Sequence, residues 1–464
     1  MSGPLALRWR PFHVPLPQPL VTARGVVVER WGWLLRLEAT DGRLGWGEAA
    51  PLELVAAPDG RGPGIPEAWG TAGPEPEWPW GEPARPWGTS HRACAAAIDA
   101  LGPVAEPAEL ERALPRLPAP LGFAVGAALA ELQGLVGEAA GGWGAAPASA
   151  WLLPAGEAMV PALESWLASI AADQAVADPA AGPPIAAEGT GQGFGAAAQA
   201  LPPAPQRVAG PGNRARTAEP PGNGLLSTGP EREATGLAAG PRAMAPWTRT
   251  ATQRGGAIRS GGRWLPAPPE TTGAMGPAPT LKWKVATCDD RLERELLEHL
   301  LRRLPAGGRL RLDANGGWDR ATAARWADRL ASEPRLDWLE QPLADEDLEG
   351  LTALSERLPV ALDESLALDP GLRDRWTGWQ VRRPALEGDP RPLLAALAAG
   401  RGHWMVSTAF ETSVGRRLVE HAAALQWRGP TPAAPGLAPQ WRPQGPLFDG
   451  DPAAAWAALA GGER

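Results

Sequence analysis

The sequence contains few of the residues that support thiol chemistry, secretion or membrane insertion. It has no tyrosine, five methionines and two cysteines in 464 residues. The cysteines, Cys94 and Cys288, are far apart and match no metal or redox spacing, so they give no support for thiol chemistry and suit a reducing compartment. No run approaches 18 apolar residues, and the first 20 residues hold no signal-peptide core. We therefore expect a cytoplasmic protein.

Lysine is also scarce, and arginine supplies nearly all of the basic charge. The net charge of -8 argues against nucleic acid or an anionic membrane as a partner. Lysine occurs only at Lys282 and Lys284, in "TLKWKVAT". Arginine stays protonated in proteins, whereas lysine can lose its proton when burial or nearby charge lowers its pKa. We interpret the two lysines as functional residues with a role that arginine cannot fill; the alternative is a pair of ordinary surface lysines.

One long window differs in composition from the rest of the chain. Residues 171–280 contain 18 glycines and 17 prolines. Such a segment buries too little apolar surface to offset the entropy lost on ordering. The composition predicts a long, low-complexity, disordered insertion at 171–279.

The remaining sequence predicts two structured parts. The N-terminal part begins with the strand-like run "RGVVVERWGWLLRLEA" and turns helical near "HRACAAAIDAL", which favours an α+β domain. After residue 280, short apolar runs alternate with amphipathic helices, as in an α/β barrel; an open doubly wound sheet is the alternative. The predicted boundaries are a cap at 1–145, a first barrel unit at 146–170, the remaining barrel at 280–430 and a C-terminal segment at 431–464 packing back toward the cap.

Polar residues follow successive predicted barrel strands. Reacting groups of such barrels stand at this end, where the loops vary and the strands hold position. In chain order the residues are Lys282, Lys284, Asp313, Glu340, Asp363, Arg383 and Ser407.

Three acids at consecutive strand ends would repel one another unless a cation joined them. An all-oxygen set from Asp313, Glu340 and Asp363 favours a hard divalent ion, and Mg²⁺ in particular. Taken singly, each acid is as well explained as a helix cap or a loop residue.

The lysines are two positions apart on one strand, so both side chains point into the barrel while Trp283 faces the helices. Two close ammonium groups should lower each other's pKa. Lys284, nearer the rim, is the expected general base for removing a proton next to a carboxylate. Asn315 is either a turn residue or a group that orients the lysine or a carboxylate, and Glu364 either does the same or is exposed.

Five motifs in fixed order resemble the muconate-lactonizing branch of the enolase superfamily, and most of all its o-succinylbenzoate synthases. They are "LKWKVA", "LDANGGW", "DWLEQPL", "VALDESL" and "STAFETSVGR", with "WGEAAPL" typical of the capping domain. The resemblance implies a cap over a modified (β/α)7β barrel, with Mg²⁺ held by Asp313, Glu340 and Asp363. It also implies a small-molecule carboxylate substrate and Lys284 as base and then acid in a syn-dehydration.

Arg383 departs from the family pattern, which carries a lysine before proline at this strand end. In racemases and epimerases of this branch that lysine is the second acid/base, and arginine should not replace it. In the synthases the positive charge of that lysine stabilises the anionic intermediate, and arginine can supply the same charge. The substitution favours one-base dehydration; a racemase, epimerase or cycloisomerase of the branch, or a barrel retained for binding, stays an alternative.

Removing residues 171–278 is expected to leave activity intact. The insertion falls in a helix-to-strand connection, on the barrel face opposite the reacting groups, and loop-closure cost grows only with the logarithm of length. The check is turnover by a soluble deletion variant. Loss of metal-dependent turnover in that variant would contradict the placement.

Overall fold

The computed structural model describes residues 3–22, 25–52, 89–177 and 279–459. The prediction of an insertion at 171–279 therefore lies largely outside the described residues. Helix α4 (Met159–Ala177) nevertheless continues past residue 171, so the first residues of the predicted insertion are helical. The alanine-rich run at its C-terminal end favours helix, which the glycine and proline count of the whole window obscured. No helix in the described ranges is long and apolar enough to cross a membrane.

The N-terminal part is an antiparallel sheet covered by helices. The sheet has the order β3-β2-β1-β4. Gly47 lets strand and helix touch, because a Cβ there would lie 2.0 Å from the carbonyl oxygen of Ala124. The elements are β1 (Leu5–Thr22), β2 (Gly25–Glu38), β3 (Leu44–Ala49), α1 (Thr89–Leu101), β4 (Val104–Ala105), α2 (Pro107–Ala113) and α3 (Ala119–Leu132).

Strand β1 was not predicted, because its sequence contains four prolines. Proline cannot donate to a sheet ladder and is confined to edges, starts and irregularities of strands. β4 pairs only with Leu5 and Ala6, and the N–H of Leu7 donates to Pro103 at 2.8 Å, so β1 pairs beyond Leu7 with β2 alone. The register between them shifts between Pro15 and Leu20. The prolines lie on this edge, where their missing N–H groups cost no pairing.

The C-terminal part contains a parallel sheet of seven strands in chain order, with helices between them. Its strands are β5 (Trp151–Leu153), β6 (Thr280–Lys284), β7 (Arg309–Asp313), β8 (Leu336–Glu340), β9 (Val360–Leu362), β10 (Trp379–Arg382) and β11 (Trp404–Val406). Its helices after α4 are α5 (Asp290–Arg303), α6 (Arg320–Leu330), α7 (Leu348–Ser355), α8 (Glu364–Leu368), α9 (Leu372–Arg375), α10 (Arg391–Ala398) and α11 (Ser413–Trp427).

A short segment around Gly436 joins the two edge strands of this sheet. Gly436 forms a parallel bridge with Ser407, and its N–H donates to Val406 at 2.9 Å. On the other side, the N–H of Ala150 donates to Pro435 at 2.9 Å. The sheet therefore closes into a barrel of the (β/α)7β kind, with its last strand contributed by residues beyond 430. The segment is too short and too rich in proline for the sequence pattern to mark it as a strand.

The inner and outer faces of β6 carry different residues, as its alternation predicts. Trp283 is fully buried in the large apolar cluster between strands and helices, together with Leu163 and Leu297. Lys282 and Lys284 lie on the other face and are also buried. The C-terminal helices α12 (Pro446–Asp449) and α13 (Pro452–Ala458) place Phe448 and Trp456 in an apolar cluster with cap residues.

A buried carboxylate connects the cap to the barrel. Glu48, in β3, is 2% exposed and accepts hydrogen bonds from the N–H of Thr412 at 2.9 Å and of Gly415 at 3.1 Å. Burial, and then the charge of Glu411, raises the pKa of Glu48 to about 7, against the opposing effects of the Thr412 hydroxyl and the charge of Arg30. The first turn of α11 thus rests on a group from the cap.

Glu48→Gln is expected to gain stability relative to the parent protein as pH rises. A carboxyl whose folded pKa exceeds its unfolded value of 4.5 contributes stability below that value and loses it as pH rises to about 7. The loss amounts to about 3 kcal/mol. Urea unfolding at pH 5 and pH 8 measures it, with exposed Glu38→Gln as control. A difference between variant and parent that stays constant with pH would contradict the expectation.

Candidate active site

The predicted polar residues meet at one end of the barrel. Lys284, Asp313 and Glu340 are the last residues of β6, β7 and β8, and the parallel register sets them side by side. Asp363 and Arg383 directly follow β9 and β10. Both lysines and all three acids are buried, and Asp313 and Glu340 are 0% exposed.

Lys282 joins two of the acids. Its Nζ lies 2.8 Å from Oδ2 of Asp313 and 2.6 Å from Oε1 of Glu340. Burial disfavours its charge, but Asp313 and Glu340 outweigh burial and hold the pKa of Lys282 above its ordinary value. This corrects the expectation that the lysine pair lowers its own pKa values: for Lys282 the carboxylates decide the direction.

Lys284 shares one of these acids and adds an amide. Its Nζ donates to Oδ2 of Asp313 at 2.7 Å and to Oδ1 of Asn315 at 2.8 Å. Asp313 thus receives both ammonium groups on one oxygen. Although burial works against its ionised form, Lys282 and Lys284 hold the pKa of Asp313 well below its usual range. The amine of Lys284 is therefore oriented by two fixed acceptors.

Arg383 contacts the third acid with its planar fork. Nε donates to Oδ1 of Asp363 at 2.9 Å, and Nη2 donates to Oδ2 of the same carboxylate. Nη1 donates to the carbonyl oxygen of Thr408 at 2.7 Å. Burial disfavours the guanidinium charge, but Asp363 raises the pKa of Arg383 further above its ordinary value. A lysine could not make this two-oxygen contact.

Asn315 and Glu364 lie within the constellation, whereas Ser407 serves another purpose. Asn315 accepts from Lys284 and donates through Nδ2 to Oε1 of Glu364 at 2.9 Å. Burial and the neighbouring Asp363 raise the pKa of Glu364 to about 7. Ser407 donates to the carbonyl oxygen of Gly436 at 3.2 Å, so its hydroxyl belongs to barrel closure.

Gln341, which the sequence analysis did not single out, fixes the turn that carries Asp363. Its Oε1 accepts from the N–H groups of Asp363 and Ser365, both at 3.1 Å. Its Nε2 donates to the carbonyl oxygen of Leu343 and the hydroxyl of Ser365. The signal was present, because Gln341 follows Glu340 in the motif "DWLEQPL". A side chain that supports a neighbouring strand end is, however, invisible without the fold.

The donor set at this end suits a hard divalent cation. Oε2 of Glu340 and Oε2 of Glu364 are buried and have no hydrogen-bond partner among the described residues. Burial, and to a lesser extent the charge of Asp313, raises the pKa of Glu340 to about 7. Four acids here face three cationic side chains. Carboxylate oxygens without partners are the ligands that Mg²⁺ takes.

The acids are nevertheless not arranged as a finished metal site. In the described ranges, no group of three or more His, Cys, Asp or Glu side chains is placed to hold a metal ion. Lys282 and Arg383 instead occupy oxygens of Glu340, Asp313 and Asp363. Asp313, Glu340 and Asp363 remain the residues that would hold Mg²⁺, with Oε2 of Glu340 already free to bind.

Comparison with known proteins supports the barrel assignment. Residues 274–372 match the family model described as enolase C-terminal domain-like. A solved o-succinylbenzoate synthase from Thermosynechococcus elongatus BP-1, complexed with magnesium in its active site, superposes with a TM-score of 0.57. That alignment covers 98% of both chains at 23% identity. The chain has the fold of the enolase superfamily. The superfamily resemblance drawn from the five motifs is thereby confirmed.

Curated relatives match shorter stretches of the chain. An o-succinylbenzoate synthase from Thermosynechococcus vestitus is 38% identical over 153 residues, covering 31% of this chain and 47% of the relative. A hydrophobic dipeptide epimerase from a Flavobacteria bacterium is 46% identical over 59 residues, covering 12% of this chain and 17% of the relative. The chain thus matches about half the length of the first relative and less of the second.

Proposed function

We propose that the protein is an o-succinylbenzoate synthase of menaquinone or phylloquinone biosynthesis. It would remove water from 2-succinyl-6-hydroxy-2,4-cyclohexadiene-1-carboxylate in the cytoplasm. The observation that carries the proposal is the Lys284 amine, buried at a strand end and oriented by Asp313 and Asn315. The synthase relative with 38% identity supports the choice of substrate.

Lys284 would handle the proton in both halves of the reaction. In its neutral form the amine takes the proton from C1, which leaves an enediolate at the adjacent carboxylate. The resulting ammonium returns the proton to the hydroxyl on C6. The C6–O bond then breaks, C1 and C6 become doubly bonded, and water leaves as the ring becomes aromatic. One base acting at one ring face gives syn elimination.

The other residues would supply charge and orientation. Bound Mg²⁺ would supply positive charge beside the substrate carboxylate, with Asp313, Glu340 and Asp363 as its ligands. Arg383 stays protonated and offers a fixed cation for the anionic intermediate. Lys282 pairs with Asp313 and Glu340 and offsets part of their negative charge. Asp313 therefore has a second cationic partner besides Lys284.

Epimerisation is the rival reaction, and the match to a dipeptide epimerase is the observation in its favour. Two-base epimerisation needs a second side chain able to give and take a proton on the opposite face. Arg383 follows β10, the position at which the family pattern carries this second acid/base. Its guanidinium is held on Asp363 and its pKa is raised, so it is unsuited to give and take a proton. Incubating the protein in D₂O with dipeptides and N-acyl amino acids tests the rival; exchange of the α-proton with racemisation would establish it.

The proposed reaction is tested by the fall in diene absorbance of the substrate. Purified protein with Mg²⁺ should consume the diene, and EDTA should stop the reaction until Mg²⁺ is restored. A matched sample of the Lys284→Arg variant controls for spontaneous aromatisation. A full-length, folded protein that leaves the diene unchanged in the presence of Mg²⁺ would refute the proposal.

Arg383→Lys is expected to keep turnover within about tenfold of the parent, because either residue supplies a cation for the anion. The variant loses the fork onto Asp363 but keeps the charge. Steady-state kinetics with the diene measures the effect, and circular dichroism confirms the fold. A collapse of turnover would show that the two-oxygen contact itself is required.

A further inference from the structure

A buried turn after β11 supplies the third acceptor for Arg383. The carbonyl oxygen of Thr408 accepts from Nη1 of Arg383 at 2.7 Å, beyond the two contacts with Asp363. The turn, residues 408–412, is buried throughout, with Thr408 at 7% and Glu411 at 3% exposure. This carbonyl therefore helps to fix where the guanidinium lies, together with Asp363.

Glu411 holds the turn in shape through both carboxylate oxygens. Oε2 accepts from the hydroxyl of Thr408 at 2.5 Å, and Oε1 accepts from the N–H of Ala409 at 2.6 Å. The Thr408 hydroxyl in turn accepts from the N–H of Phe410 at 2.8 Å. Phe410 has a φ of 63°, a left-handed conformation that a bulky residue adopts only where its surroundings enforce it.

The cap reaches the same turn from the other side. Glu48 accepts from the N–H and the hydroxyl of Thr412. Arg30 is 1% exposed and donates to the carbonyl oxygens of Ala50 and Pro51 at 2.6 and 2.7 Å. Arg30 also interacts electrostatically with Glu48 and Glu411. Two buried acids and one buried arginine thus connect the cap to the turn beneath Arg383.

We propose that Glu411 is a positioning residue: through Thr408 it fixes the carbonyl that holds Arg383 in the active site. The geometric part of this inference stands on the contacts alone. Its kinetic part rests on the proposed function, because Arg383 matters to turnover only if an anion forms beside it. The described hydrogen bonds of the Glu411 side chain go to Thr408 and Ala409, so it acts on Arg383 only through the turn.

The geometric part is tested with crystal structures of Glu411→Gln and of Thr408→Val. An amide cannot accept from both Thr408 and Ala409 through two oxygens, and valine removes the hydroxyl while keeping the shape. In both variants the distance from Nη1 of Arg383 to the carbonyl of residue 408 should exceed hydrogen-bond length. Control Glu420→Gln, which loses only a 3.4 Å pairing with Arg416, should keep the contact.

The kinetic part is tested with a double-mutant cycle. Glu411→Gln is expected to lower kcat by up to about tenfold, the lower end of the range for residues that orient reacting groups and no more than the limit expected for Arg383→Lys. In an Arg383→Ala background the same change should have no further effect, because the group it positions is gone. A purely structural role would instead lower kcat equally in both backgrounds.

The outcomes separate the two proposals. If no variant or parent consumes the diene, the proposed function fails, and the crystal structures alone judge the positioning role. An intact contact between Arg383 and residue 408 in both Glu411→Gln and Thr408→Val would overturn the inference. So would additive losses of kcat in the cycle. If Glu411→Gln does not fold, Thr408→Val carries both tests.

Discussion

Lys284→Arg is expected to lower turnover by about 10³-fold or more, within the range for loss of a general base, while the protein stays folded. The change keeps a positive charge that can still pair with Asp313 and Asn315. What it removes is an amine that can act as a base, because arginine stays protonated. The loss thus reports base chemistry rather than lost pairing.

Kinetics with the diene and α-proton exchange in D₂O both measure the effect of Lys284→Arg. Lys282→Arg is the matched control, because Lys282 lies on the same strand face and pairs with Asp313 and Glu340. It should lose less turnover and retain exchange. Substantial turnover in Lys284→Arg would mean that another group is the base, and equal losses in both variants would point to packing.

Glu340→Gln is expected to separate activity from stability. Of the three proposed metal ligands, Glu340 is the one with a buried carboxylate oxygen that has no partner in the described part of the chain. Losing that ligand should weaken divalent-ion binding by about 100-fold or more, because even the loss of a residue that only hydrogen-bonds to a metal ligand costs up to about 100-fold. Turnover should fall with it.

The metal-free Glu340→Gln protein should be at least as stable as the metal-free parent. The variant balances three acids, Asp313, Asp363 and Glu364, against three cations. Calorimetric titration with Mn²⁺ measures affinity, and thermal unfolding in EDTA measures stability. A large fall in Tm without metal, or unchanged Mn²⁺ affinity, would contradict the role given to Glu340.

The sequence predicted the site's membership better than its internal pairing. The positions of Lys284, Asp313 and Glu340 followed from alternation and strand ends, because parallel strands bring their C-terminal ends to one rim. Which cation pairs with which acid depends on side-chain reach across the barrel. The contact of the Arg383 guanidinium with Asp363 and the raised pKa of Lys282 both depend on this reach, and no local sequence pattern predicts them.

The fold shows the same division between local and distant information. Helices and central strands follow from periodicity, which is local. Strand β1 and the closing segment around Gly436 contain or adjoin prolines, and they pair as they do only because a partner strand lies beside them. Glu48 was overlooked because its partner Thr412 becomes a neighbour only when cap and barrel meet. Glu411 was overlooked because its contacts with Thr408 and Ala409 depend on the conformation of the turn, which no local pattern marks.

The structure of crystals soaked in Mn²⁺ tests the central claim most directly, since the anomalous signal locates the ion. The account predicts one peak at about 2.2 Å from oxygens of Asp313, Glu340 and Asp363, with the Lys284 amine facing it across the rim. A peak elsewhere, or one more than about 10 Å from Nζ of Lys284, would contradict a lysine base acting beside a carboxylate-bound ion.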